Sequence, residues 1–189
     1  NNPKRKLKHT LELIKVRDSL VGVNTIFTNK IIYEALKNKN IKELKDFEDI
    51  RRETSYDKET RFDFLLEKGN KKVFLEVKNV TLSLIKGIAE FPDAITTRGK
   101  KHLLKLCEAS KKGYQCYMLY LIQRENCNFF KIADKIDIEY KKAFLSTKKK
   151  GIKILCYNCK LSPQEIKVNR RLAYWIFTQR WLSYVGFLL

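Results

Sequence analysis

The order of apolar segments predicts an α/β fold with a mixed central β-sheet flanked by helices, and three observations carry that expectation. Residues 61–66 and 72–78 both look like strands, and the polar loop between them contains Gly69-Asn70, so together they read as a hairpin. Residues 114–122 form an almost continuous apolar run, as expected of a strand buried on both faces. A helical stretch over residues 138–149, stopped by Gly151, is followed by a strand over 152–157. Strand, helix and strand in so little chain require parallel pairing.

The remaining elements follow in order. Residues 11–16 alternate like a strand, and a second strand over 20–23 follows the turn-forming Asp18 and Ser19. Asn29 is placed to cap a helix carrying Ile31, Ile32, Ala35 and Leu36 on one stripe. Residues 50–54 give the weakest strand signal. Phe91-Pro92-Asp93 is expected to open a long helix that runs to about Lys111 and ends before Gly113. Residues 170–189 break character: they are aromatic, contain both Trp175 and Trp181, and are interrupted by Arg180. That interruption argues against a membrane span. A docked helix, an interfacial segment and non-native read-through all remain open for them.

At 189 residues and 44% hydrophobic, the composition suits one folded domain. A net charge of +19 and a pI near 9.7 favour a polyphosphate partner, because neutralised phosphates release counterions. Compositional drift is the alternative, since Lys outnumbers Arg. The start shows no secretory signal and no initiator Met, which fits a piece of a longer protein. Five cysteines cannot all pair, so reduced thiols in a cytoplasmic compartment are expected. Cys156 and Cys159 form a Cys-x-x-Cys, yet they fall in a strand with no matching second pair, and read as packed thiols rather than zinc ligands.

The chemistry-bearing pattern is Asp63 followed by Glu76-Val77-Lys78. Alternation puts Glu76 and Lys78 on one strand face, and a hairpin partner can bring Asp63 beside them. Asp63, Glu76 and the Val77 carbonyl offer hard oxygens suited to Mg²⁺ or Mn²⁺, which would polarise a scissile phosphate. Lys78 would orient the attacking water and offset developing charge. A Glu-Lys pair on a solvated face is the plain alternative.

Asp…Glu-x-Lys across a hairpin resembles the PD-(D/E)xK phosphodiesterase superfamily. Four further stretches are more specific: Val21-Gly22-Val23-Asn24-Thr25, Arg61-Phe62-Asp63-Phe64, Glu76-Val77-Lys78-Asn79-Val80-Thr81, and residues 91–102 from Phe91-Pro92-Asp93 to Lys101-His102. In that order they look like the sugar fermentation stimulation (SfsA) family, over roughly residues 2–166. The resemblance implies a restriction-endonuclease-like core and a DNA/RNA nuclease or DNA-binding protein. It also implies an OB-like domain ahead of residues 1–24, which then read as lead-in strands and linker. Residues 25–169 would be the nuclease-like domain. The aromatic tail, residues 170–189, has no counterpart in the family, and Thr60-Arg61 stands where the family often has Ser-Arg.

Other candidates come from the resemblance, in the case of Glu34, and from positions on the helix and at strand ends. Glu34 on the first helix would aid a metal, directly or through water; otherwise it is a solvated helix residue. Arg61, Arg98, Lys101, His102 and Arg124 would contact phosphate, Arg98 and His102 being an i, i+4 pair. His102 could equally be a satisfied structural histidine. Asp93 and Thr97 would support the site from behind, Asp93 alternatively capping its helix. Two functions compete. One is a metal-dependent nuclease acting on DNA in preference to RNA. The other is a non-catalytic DNA-binding regulator of sugar metabolism genes.

Overall fold

In the computed structural model, which describes residues 6, 7 and 9–175, the chain opens with a hairpin of β1 (Leu13–Val16) and β2 (Ser19–Gly22) and helix α1 (Thr28–Lys37). Strands β3 (Asp49–Ser55), β4 (Arg61–Lys68), β5 (Lys71–Val80), β6 (Leu82–Ile85) and β7 (Ile88–Phe91) follow. Helix α2 (Thr97–Lys111), β8 (Gln115–Ile122), β9 (Phe129–Ile132), α3 (Ile138–Lys149), β10 (Lys153–Leu161), β11 (Ile166–Arg171) and β12 (Ala173–Trp175) complete the order.

Six strands form the central sheet in the order β11-β10-β8-β5-β4-β3. It is mixed as expected: β5, β8 and β10 run parallel, while β3 and β4 are antiparallel neighbours at one edge and β11 at the other. β8 is covered on both faces. Cys116, Met118, Tyr120 and Ile122 join one core with α2 and α3, whereas Tyr117, Leu119 and Leu121 join the other with α1. A second sheet, β12-β9-β7-β6, packs on the α2–α3 side through Ala89, Phe91, Phe130 and Ile132.

Four of the unexpected strands build that second sheet, and each has three or four residues, too few to show a period. β7 is further disguised by Glu90, which is buried, 3.1 Å from Lys131 Nζ, and accepts from the Leu84 N–H at 2.9 Å. Pro92 therefore follows a strand rather than opening a helix. α2 starts at Thr97, where the hydroxyl of Thr96 accepts from the Gly99 N–H at 3.0 Å. The Thr96 N–H in turn donates to Asp137, whose other oxygen caps α3 through the Tyr140 N–H. The two helix starts meet so closely that a Cβ on Gly99 would lie 2.8 Å from the Thr96 hydroxyl and 3.1 Å from the Tyr140 ring.

Two further expectations change. Asn29 lies inside the first turn of α1 and does not cap it; Phe27 occupies the cap position without a side-chain bond. The boundary at residue 170 falls within β11, and β12 then pairs with β9, Trp175 lying 4.7 Å from the Phe129 ring. Arg180, Trp181 and the rest of residues 176–189 lie outside the described residues. The packed-thiol reading of Cys156 and Cys159 holds: they face opposite cores, so they cannot share a metal.

All five thiols are free and buried, and burial pushes Cys116 and Cys159 up to about 12. Native protein should therefore react slowly with an aromatic disulfide reagent, and five thiols should appear on denaturation. Thr96→Ala should cost about 1 kcal/mol in urea unfolding. Asp93→Ala and Thr97→Ala should each stay within about 0.5 kcal/mol, both residues being exposed.

Candidate metal centre

The site begins where β4 leaves its neighbours. The β4–β5 ladder stops at Phe64↔Leu75, and the β3–β4 register passes from Arg52↔Phe64 to Thr54↔Phe62 without pairing Asp63. Glu53, opposite Asp63 in that register, adopts φ +47, a conformation costly for a residue with a Cβ. The distortion turns Phe62 into the α2–α3 core while Phe64 and Leu66 enter the α1 core, although strict alternation along a strand would put all three on one face. Asp63 is released toward β5. Its Oδ2 accepts from the Val77 N–H at 2.8 Å, and its Oδ1 accepts from the Asn29 amide at 2.8 Å.

Glu76 follows Phe74 on the α2–α3 face of β5 and is 2% exposed. Its Oε1 accepts from Lys78 Nζ at 2.6 Å and is bonded to His102 Nδ1. Its Oε2 is buried without a hydrogen-bond partner. The two carboxyls are tuned apart. Burial, reinforced by the charge of Glu76, pushes Asp63 up against the opposing pull of Val77, Asn29 and Lys78. Burial also pushes Glu76 upward, but the His102 hydrogen bond and the Lys78 charge outweigh it and hold Glu76 below the usual range.

These groups lie between two adjoining depressions of about 630 and 300 Å³, which share Asn29, Asp63, Arg98 and His102 as lining. Glu76, Val77 and Lys78 line the smaller; Arg61 and Lys101 line the larger. Arg61 and Lys101 already face acids, Glu53 at 3.5 Å and Glu59 at 2.9 Å. Arg98 is exposed at the junction and, among the described residues, makes no ion pair.

The structure therefore brings together Asp63, Glu76, Val77, Lys78, Arg61, Arg98, Lys101 and His102. Four expected residues are placed elsewhere. Glu34 is exposed, 3.9 Å from Lys30 on its own helix, and lines a separate groove with Phe27 and Ile166, because its position on α1 faces away from β5. Arg124 is buried: it donates to the Thr81 carbonyl at 3.0 Å and to Asn126 at 3.1 Å, and its backbone bridges Val21, so its charge is spent on a turn. Asp93, ahead of α2, and Thr97, its first residue, are exposed and line neither depression; Thr96 does the capping.

Sequence reasoning missed Asn29, whose cap-like position concealed a long-range bond. It also missed the amide relay of Gln123, which donates to Asn79 at 2.6 Å and to Thr28 at 3.3 Å beneath the smaller depression. Gly22 of β2 allows that relay, since a Cβ there would lie 2.3 Å from the Gln123 side-chain oxygen.

No group of three His, Cys, Asp or Glu side chains converges among the described residues. The available donors are two carboxylates, one with an unused buried oxygen, beside an open depression that admits water. That set fits a hard cation of the Mg²⁺ type, which keeps several waters and needs only one or two carboxylates. It does not fit zinc, whose sites are built mainly from His and Cys, since the one nearby imidazole nitrogen, His102 Nδ1, is bonded to Glu76.

Comparison with known proteins bears on the fold and the family. A solved structure of Pyrococcus furiosus SfsA in complex with Ca²⁺ matches with a TM-score of 0.81 at 21% identity, covering 88% of this chain and 71% of that one. The sugar fermentation stimulation protein homolog of Pelagibacter ubique is 54% identical over 172 residues, 91% of this chain and 74% of that protein. Its counterpart in Agrobacterium fabrum is 41% identical over 170 residues, 89% and 71% of the two chains. Residues 26–165 match the family described as the sugar fermentation stimulation protein RE domain. With more than half its length matched, the chain belongs to the sugar fermentation stimulation protein (SfsA) family.

Proposed function

We propose that this chain is a metal-dependent phosphodiesterase acting on nucleic acid, DNA ahead of RNA. The observation that carries the reading is the buried, unpartnered Oε2 of Glu76, a residue that lines the same depression as Asp63. A carboxylate oxygen desolvated in this way is costly unless a cation or proton meets it. The Ca²⁺ in the Pyrococcus furiosus SfsA structure supports divalent binding at such a fold. Asp63 and Glu76 would hold Mg²⁺ or Mn²⁺ with the Val77 carbonyl. The cation, when bound, supplies Lewis acidity toward a phosphoryl oxygen.

The other steps belong to side chains of this protein. Lys78, with 15% of its side chain exposed, can orient a water at the edge of the smaller depression and offset charge as the phosphorus–oxygen bond breaks. Arg98, free of acids at the junction of the depressions, would hold a non-bridging oxygen of the same phosphate. A non-catalytic nucleic-acid binder is the second reading, favoured by the net charge of +19. An OB-like domain in longer relatives would add affinity in either case.

Purified protein with labelled single- and double-stranded DNA and RNA should cleave at least one substrate with Mg²⁺ or Mn²⁺ and none with EDTA. Lack of cleavage on all four would favour the binder. Lys78→Ala should slow cleavage about 10²-fold while retaining Mn²⁺ binding, whereas Glu76→Ala should lose both. Arg98→Ala should weaken binding similarly for all sequences and reduce the salt slope by about 1.

A further inference from the structure

Both carboxylates of the site are gripped by side chains from outside the hairpin that carries them, and the two grips come from opposite faces of the sheet. Asn29 projects from the first turn of α1, which is seated in its core by Ile31, Ile32, Ala35 and Leu36. His102 projects from α2, seated in the other core by Leu103 and Leu106. Neither helix could shift its side chain without disturbing a packed layer.

The grips are selective by atom. Asn29 holds Oδ1 of Asp63, the Val77 N–H holds Oδ2, and each bond is 2.8 Å, so the plane of this carboxylate is fixed at two points. On Glu76 the pattern differs. His102 Nδ1 and Lys78 Nζ both engage Oε1, leaving Oε2 as the buried oxygen with no hydrogen-bond partner. The imidazole is itself oriented by the Phe62 ring, edge-on at 6.5 Å and 82°. Its Nδ1 is therefore committed to a carboxylate, which changes the phosphate-binding role that its helix position implied.

We infer that Asn29 and His102 are positioning residues, Asn29 fixing the Asp63 carboxylate and His102 turning Glu76 so that Oε2 alone is presented to a divalent cation. The inference rests on the metal-centre reading above. Groups that orient ligands are commonly worth about 10- to 100-fold in metal affinity, although they never touch the ion.

The test is calorimetric titration of the whole 189-residue chain with Mn²⁺ and with Ca²⁺, beside thermal unfolding of each metal-free variant. His102→Ala and Asn29→Ala should each weaken Mn²⁺ binding about 10- to 100-fold. His102→Asn should recover most of the loss, since its amide nitrogen falls near the imidazole Nδ1 position, while His102→Gln, which reaches further, should not. A purely structural role would lower the melting temperature in all four variants without this ordering of affinities. Should His102→Ala fail to fold, the Asn–Gln comparison and Asn29→Ala still decide the matter. Wild-type affinity in folded alanine variants, or no advantage of Asn over Gln, overturns the inference and leaves the metal centre standing. Failure of the wild-type chain to bind either cation overturns the metal centre itself, and the inference with it.

Discussion

Burying Glu76 on a central strand is the constraint around which this site is organised. An ionised carboxylate at 2% exposure carries a desolvation penalty of several kcal/mol unless charges and hydrogen bonds answer it. Lys78 answers from the same strand face two residues on, and His102 answers from the helix packed above. Asp63 can approach only because β4 joins the β5 ladder no earlier than Phe64, the Val77 N–H bonding the Asp63 carboxylate instead. The positive φ of Glu53, the turning of Phe62 and Asn29 in the first turn of α1 all surround this second acid.

Electrostatics work at two ranges. Across the molecule an excess of 19 positive charges favours polyanions over other partners on general physical grounds, through a field that salt screens within about 8–10 Å. Inside the cleft the balance is much closer to neutral. Arg61 and Lys101 are matched by Glu53 and Glu59, and Lys78 by Glu76, which leaves Arg98 as the cation of the shared lining without an acidic partner among the described residues. On the proposed reading attraction is general, whereas placement of a phosphate at the junction of the two depressions would fall to Arg98, with Lys58 the other cation of the larger depression that has no acidic partner among the described residues. Exposed pairs such as Lys101–Glu59 stabilise little on their own, so on the proposed reading a phosphate could replace the acid at small cost.

Much of this was legible in the sequence. The hairpin over residues 61–78 and the run at 114–122 announced themselves because long strands with full burial have unambiguous patterns. Glu76 and Lys78 stood out as charges where an apolar residue belongs. The second sheet was hidden because its strands are short and one carries Glu90, compensated by Lys131 far along the chain. Pro92 misled because the residue that opens a helix also closes a strand, and only the Thr96 hydroxyl distinguishes the two. Asn29 was noticed for the wrong reason: a local capping rule matched, while the partner it serves lies 34 residues away. Glu34 and Arg124 had suitable chemistry, but one faces solvent beside Lys30 and the other ties down a turn.

The central claim is that Oε2 of Glu76 and the carboxylate of Asp63 meet at one cation. Anomalous diffraction from crystals grown with Mn²⁺ tests this most directly, because it locates the ion without reference to activity. The account predicts a peak about 2.0–2.2 Å from both Glu76 Oε2 and Asp63, with waters completing the shell on the side of the open depression. A peak elsewhere, or none with Glu76 Oε2 still buried and unpartnered at saturating Mn²⁺, would contradict it.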